Sequence, residues 1–204
     1  MHGRCCAMTS DVFLALCAFA FVTSITPGPN NLMLMASGAN FGLRRTVPHM
    51  LGVGLGFGFM VVCVGLGLAG LCEAWPPLRL VLAVLSVGYL LWLAWRIATA
   101  AAPEGGAVGR PMTFAQAAAF QWVNPKAWTM ALSAVTLYAS ASVWSVLLVA
   151  AVFTAVNLPT VSSWTVLGVQ MKRFLTSPLR LRAFNWTMAA LLVASLWPTV
   201  AGLG

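Results

Sequence analysis

The sequence predicts an all-α polytopic membrane protein, on the basis of its composition, the lengths of its apolar stretches and the prolines that interrupt them. Hydrophobic residues make up 61% of the 204 residues and charged residues only 7%, and the mean hydropathy is +0.92. A soluble domain carries about 25% charged residues, so this chain has too few to cover a water-facing surface. The apolar stretches are also too long, and alternate too little, for the strands of a barrel.

Six stretches are predicted to cross a bilayer, because its ~30 Å core needs about 20 apolar residues in a helix. In chain order they occupy 12–38, 46–71, 78–101, 112–139, 143–169 and 184–200. The first is interrupted at 26–30 and the fourth at 124–126. Each interruption contains proline, which removes a backbone donor and clashes with the preceding turn.

The six stretches form two groups of three within a single membrane-embedded domain, 1–204. Repeat one covers about 8–101, repeat two about 112–204, and a Gly- and Pro-rich linker at 102–111 joins them. An odd number of spans in each repeat predicts two inverted repeats, each with its first helix broken at proline. Residues 1–7 are expected to be a start-site extension, and a cleaved signal peptide is the weaker alternative.

The net charge of +8 suggests nucleic-acid binding, but the eleven Lys and Arg residues lie at the ends of the apolar stretches instead of on one surface. We therefore expect no nucleic-acid partner. Eight of them fall on one side of the predicted topology: Arg44, Arg45, Arg96, Arg110, Lys172, Arg173, Arg180 and Arg182. Arg4 and Arg79 fall on the other, so the positive-inside rule predicts that both termini lie outside.

The first break is the segment Thr26-Pro27-Gly28-Pro29-Asn30-Asn31. Unpaired backbone at membrane depth is tolerated only where it is buried in protein or lines a cavity. We expect Asn30 to cap the helix that restarts here. Two prolines with two neighbouring asparagines favour a binding or gating site over a kink that serves packing alone.

The second break contains Gln121, Asn124, Pro125 and Lys126. A lysine within a span is costly and usually faces a cavity or a partner. The alternative is a lysine that extends its ammonium to the membrane surface, and the pattern leaves both interpretations open.

Two weaker candidates are Asn157 with Pro159 in the fifth span, and Asp11 at the start of the first. A proline kink for packing explains the former pair, and a favourable helix-dipole interaction explains Asp11. The alternate glycines of the second span, Gly52 to Gly58, are interpreted as a surface for helix packing or dimerisation.

The sequence offers no arrangement of catalytic or metal-binding residues, so no enzyme activity, cofactor or metal is predicted. It contains no P-loop and no acid inside a span. The remaining classes are a transporter and, as the alternative, a non-transporting membrane scaffold or assembly protein.

The Thr-Pro-Gly-Pro segment, the Gly38-Ala-Asn-Phe-Gly-Leu-Arg-Arg45 stretch that follows it and Asn124-Pro125-Lys126 resemble the lysine-exporter (LysE/RhtB) superfamily over nearly the whole chain. The resemblance implies a bacterial inner-membrane exporter of amino acids or their derivatives, driven by an ion gradient, with a homodimer as one assembly. Because no span interior contains an acid, neutral substrates such as homoserine, threonine or leucine-like amino acids are favoured.

The resemblance also implies that Pro27, Pro29, Asn30, Asn124 and Lys126 line one site at the membrane midplane. Helix N-termini at the breaks would receive the carboxylate of an amino acid. Carbonyls freed by the prolines would receive its ammonium. Lys126 would add charge for the carboxylate or hold the break in place.

Overall fold

The structure is a computed structural model that describes residues 9–68, 70, 74, 77–100, 110–140 and 142–197. Within these residues the regular structure is helical and contains no strand. The predicted extension at 1–7 and most of the predicted linker, 102–109, lie outside the described residues.

Eight α-helices form the described part of the chain. They are α1 (Ser10–Ile25), α2 (Pro29–Phe41), α3 (Leu43–Cys63), α4 (Pro77–Ala98), α5 (Phe114–Phe120), α6 (Pro125–Tyr138), α7 (Val143–Met171) and α8 (Pro178–Ala194). A π-helical segment, Val64–Leu68, continues α3, and a 3₁₀ turn, Gln121–Val123, follows α5.

Among the described residues, three helices are long and apolar enough to cross a membrane: Leu43–Leu68, Leu80–Ala98 and Val143–Met171. Helices α1 and α2 make a fourth span if they are taken as one bent pair, with an angle of 56° between them. Helices α5, α6 and α8 have 7, 14 and 17 residues. The helical membrane class is therefore confirmed, while six spans in inverted repeats stay a prediction.

Two helices begin before the predicted spans that they overlap, and the local backbone or cap explains both starts. The second span begins at Leu43, because Gly42 takes a positive φ of 78° and turns the chain directly from α2 into α3. Helix α8, which includes the start of the predicted sixth span, begins at Pro178, where the Ser177 hydroxyl accepts a hydrogen bond from the Arg180 amide at 3.3 Å. Basic residues assigned to loops therefore lie in the first turns of these helices.

The described helices pack as two groups. Helices α1, α2 and α3 pack against the long helix α7, while α4 pairs with α8. Phe57 and Phe153 lie in a core between α3 and α7, and Leu90 and Leu192 lie in a core between α4 and α8. Large apolar side chains such as Trp144, 80% exposed, lie on the outer surface, as expected for a surface in contact with lipid.

Glycines allow several of these helices to touch through their backbones. A methyl group on Gly38 of α2 would overlap the carbonyl oxygen of Thr165 in α7, and one on Gly168 of α7 would overlap that of Met35 in α2. The glycines of α3 act in the same way on two faces. Gly52 and Gly56 face α5, and Gly54 and Gly58 face α7. These glycines therefore serve helix packing within the chain.

Candidate functional site

The first break separates α1 from α2 at residues that cannot continue a helix. Thr26 ends α1 in an extended conformation, Gly28 is the N-cap of α2, and Pro29 is its first residue. The expectation that Asn30 caps α2 is wrong. Because Pro29 already begins the helix, Asn30 lies inside its first turn and its side chain is directed to the second break.

The second break has a similar form. The 3₁₀ turn after α5 ends at Asn124, and α6 begins at Pro125. The side-chain oxygen of the buried Asn124 accepts a hydrogen bond from the Lys126 amide at 3.2 Å and so caps α6. Each break thus presents the N-terminus of a helix that starts with proline.

Lys126 connects the two breaks across about half of the chain. Its ammonium donates hydrogen bonds to the Thr26 carbonyl oxygen at 2.6 Å and to the Thr26 hydroxyl at 2.9 Å. The Pro27 carbonyl lies 3.5 Å away. The ammonium therefore bonds to backbone carbonyls at the break between α1 and α2.

A pair of side-chain amides makes a second connection. Asn30 donates to Gln121 Oε1 at 2.8 Å, and Gln121 Nε2 donates to Asn30 Oδ1 at 3.2 Å. Gln121 is fully buried and also donates to the Ala117 carbonyl at 2.9 Å. Since both amides are satisfied reciprocally, the pair fixes the position of one break relative to the other.

A third set of polar groups joins the first break to α7. Asn31 Nδ2 donates to the carbonyls of Ser24 and Thr26 at 2.8 and 2.9 Å. Asn157 Nδ2 donates to the Ser24 hydroxyl at 3.2 Å. The side-chain oxygen of Asn157 is buried and has no hydrogen-bond partner among the described residues. A buried acceptor of this kind is rare in native structures.

A small cavity of about 20 Å³ lies where these groups meet. Six of the residues singled out from the sequence line it: Gly28, Asn30, Asn31, Asn124, Lys126 and Asn157. Others border those residues without lining the cavity, namely Thr26, Pro27, Pro29, Gln121 and Pro125. Pro159 lies within α7 and Asp11 in the exposed first turn of α1, and neither lines the cavity.

Sequence reasoning missed part of the lining. Thr23 and Ser24 are polar residues near the end of an apolar helix, a signal that could have identified them. The apolar wall, formed by Phe57, Met130 and Val161, gave no comparable signal, because such residues occur throughout this chain.

Most of this chain is similar to a known protein family. The family profile of the LysE type translocator matches residues 21–195. A cysteine/O-acetylserine efflux protein of Klebsiella pneumoniae is 32% identical over 194 residues, which cover 91% of this chain and 95% of that protein. One from Escherichia coli K12 is 33% identical over 120 residues, or 58% of this chain and 61% of that protein. No solved structure matches significantly. From the profile match, which includes both helix breaks, the chain belongs to the LysE type translocator family.

Proposed function

We propose that this protein is a secondary transporter of the bacterial inner membrane that exports a small neutral amino acid or derivative by alternating access. The proposal includes six spans in two inverted repeats, with both termini outside. One structural observation is the main support for this proposal. Two helix N-termini, a lysine ammonium and a buried acceptor without a partner among the described residues meet at one cavity, which both halves of the chain line.

The carboxylate of the substrate fits the positive side of this cavity. The N-terminus of α2 at Gly28 and that of α6 at Asn124 each present the positive end of a helix dipole. Lys126, at the start of α6, adds a full positive charge beside them.

The ammonium of the substrate fits two acceptors, one that lines the cavity and one that borders it. These are the unpaired side-chain oxygen of Asn157 and the carbonyl oxygen of Thr26. The Lys126 ammonium already bonds to that carbonyl. A bound amino acid would therefore compete with Lys126 for the same acceptor and release the lysine toward the carboxylate.

Competition between the substrate ammonium and Lys126 for the Thr26 carbonyl would control access to the cavity. A cavity of about 20 Å³ has room for about one water molecule, which is far less than an amino acid needs. Admission of substrate requires the two breaks to separate, and the hydrogen bonds from Lys126 to Thr26 hold them together. Replacement of those bonds by the substrate ammonium couples binding to opening.

The substrate class follows from the cavity walls. Phe57, Met130 and Val161 offer an apolar surface to a side chain, and no acid lines the cavity among the described residues. A cationic side chain would find no partner there. The similar efflux proteins are named for cysteine and O-acetylserine, both of which carry uncharged side chains at neutral pH, so we propose these together with homoserine, threonine and leucine-like amino acids.

Overexpression in bacteria, followed by mass spectrometry of the medium, tests this function. Cells with the wild-type protein should release more of at least one neutral amino acid than cells with Lys126→Ala or Asn30→Ala. Thr129→Ala is the matched control, because Thr129 is exposed on α6 one turn after Lys126. Wild-type release by both site variants, at equal protein levels, would refute the site. No release of any amino acid by the wild type would favour a scaffold.

A further inference from the structure

A second and much larger cavity, of about 600 Å³, lies at the other end of α2. The N-terminal residues of α2 line the small central cavity, whereas Ser37, Asn40 and Phe41 near its C-terminus line this one. We call it the cationic vestibule, because four basic side chains line it: Arg45, Arg96, Arg110 and Lys172.

The four cations come from separate parts of the chain. Arg45 lies in the first turn of α3, Arg96 in the last turn of α4, Arg110 ahead of α5, and Lys172 directly after α7. No acidic side chain lines the vestibule among the described residues. Like charges that share one concave surface repel each other and attract anions, so the electrostatics favour an anionic ligand.

Aromatic rings hold two of the cations in place. The Arg96 guanidinium lies over the Trp92 ring at 5.2 Å, and the Arg45 guanidinium lies over the Phe41 ring at 5.8 Å. Such contacts restrict a long side chain while leaving its N–H groups free to donate. Planar guanidinium groups are well suited to bind carboxylates with paired hydrogen bonds.

A buried histidine provides an independent indication of a ligand. His49 of α3 lines the vestibule and is only 2% exposed. Neither of its ring nitrogens has a hydrogen-bond partner among the described residues. The neighbouring Ser37 differs, because its hydroxyl pairs with that of Thr46 at 3.0 Å. Leaving a buried polar group unpaired costs free energy, and a ligand that reaches the ring from the vestibule would supply the missing partner.

We propose that the cationic vestibule binds small organic carboxylates, with the carboxylate at the four cations and a neutral polar group of the ligand at His49. The site ranks ligands by charge, so that a net anion binds more tightly than a zwitterion, and a zwitterion more tightly than a cation. Its use as the place where cytoplasmic substrate is collected rests on the proposed export function, whereas binding itself does not.

Isothermal titration of the purified full-length protein, in nanodiscs of phosphatidylcholine, tests this site without any transport step. The probes are N-acetyl-L-serine, L-serine and L-serinamide, which carry net charges of about −1, 0 and +1 at pH 7 because acetylation removes the amine charge and amidation removes the carboxylate. We expect affinity to fall in that order, and the affinity of N-acetyl-L-serine to weaken as salt rises from 50 to 500 mM. Equal affinity for N-acetyl-L-serine and L-serinamide would overturn the proposal.

Neighbouring residues provide matched controls. Arg45→Gln and Lys172→Gln should each weaken N-acetyl-L-serine binding about three- to tenfold. Arg44→Gln and Arg173→Gln remove the same charge from positions that do not line the vestibule and should change it less than about twofold. His49→Phe, which keeps an aromatic ring without nitrogens, should also weaken binding. If the lining and control variants lost equal affinity for N-acetyl-L-serine, the effect would come from general surface charge and the site would be refuted.

A lipid headgroup is the competing source of negative charge. Binding of short-chain phosphatidylglycerol without binding of N-acetyl-L-serine would assign the vestibule to lipid and overturn the proposal. Loss of amino-acid export with retained probe binding would instead contradict only the proposed transport function, so the two failures are distinguishable.

Discussion

The side chain of Lys126 lies across the backbone of Gly28, with its Cδ 2.7 Å and its Nζ 3.1 Å from the position that a Cβ on Gly28 would occupy. Gly28 has extended backbone angles, φ −175° and ψ 177°, which any residue can adopt. A methyl group on Gly28 would therefore be compatible with the backbone but would move the end of the Lys126 side chain. The break in the first half of the chain is shaped to receive the lysine of the second half.

Gly28→Ala should reduce amino-acid export about tenfold, because the added methyl group displaces Lys126 from Thr26 at a cost of ~1–3 kcal/mol. Release of the exported amino acid into the medium is the measurement, at equal protein levels. Gly88→Ala is the control, since a Cβ on Gly88 in α4 meets nothing within 4 Å. Export by Gly28→Ala at the level of Gly88→Ala would show that the contact is unimportant.

The Asn30–Gln121 amide pair should show measurable energetic coupling. We expect the effects of Asn30→Ala and Gln121→Ala on the unfolding free energy to be non-additive by about 1 kcal/mol, because each single change removes the partner of the other amide, which is fully buried in Gln121 and half-buried in Asn30. Unfolding in mixed detergent micelles provides the four free energies of the cycle. Additivity would mean that the two breaks are positioned independently of this pair.

Asn157→Asp should extend the substrates to cationic amino acids. The change places a carboxylate where the buried side-chain oxygen has no partner, and a carboxylate there offers the counter-charge that a lysine or ornithine side chain needs. Lysine in the medium of expressing cells is the readout. Asn185→Asp, at a buried amide outside the central cavity, serves as the control, and lysine release by neither variant would argue against this cavity as the binding site.

Gly38→Ala and Gly168→Ala should each destabilise the protein by about 1–3 kcal/mol, since the methyl group meets a backbone carbonyl that cannot move aside. Thermal unfolding in detergent measures the loss. Gly88→Ala, in open space on a helix, should instead be neutral or stabilising by about 0.5–1 kcal/mol. Equal transition temperatures for all three variants would contradict the close packing of α2 and α7.

A reporter fused after residue 204 tests the proposed orientation. We expect activity from a reporter that functions only outside the cytoplasm, because eight of the eleven basic residues lie on the opposite side of the predicted topology. The vestibule supports this distribution, as it gathers cations from three of the predicted loops. Activity from a cytoplasmic reporter alone would reverse the orientation.

The helices and the two breaks between them were predictable because each leaves a local pattern in the sequence. Long apolar stretches predicted the helices, and prolines inside them predicted both breaks. Apolar length did not locate the helix starts at Leu43 and Pro178, because basic residues in a first turn look like a loop until the cap is known. The role of Asn30 was misjudged for a related reason, since its partner Gln121 is 91 residues away in sequence.

The polar half of the candidate site was predictable and the apolar half was not. Asn31, Asn124 and Lys126 are conspicuous in an apolar chain, and the structure brings them to one cavity. Phe57 and Met130 resemble the many other apolar residues around them. The cationic vestibule was not predicted, because its basic residues had already been interpreted as signals of membrane orientation. That they meet at one cavity depends on how four separate segments of the chain fold together.

The close contact of α2 with α7 has a mechanical consequence. Gly38 and Gly168 bring the two backbones into direct contact. Because no side chains separate the helices at this contact, we expect α2 and α7 to move together as one rigid unit. The 13 residues of α2 extend ~20 Å, from the central cavity at one end to the cationic vestibule at the other. Both helices contribute to both ends, because Asn157 of α7 lines the central cavity and Lys172 directly after α7 lines the vestibule. A tilt of the joined helices would therefore change the shape of both cavities in one movement.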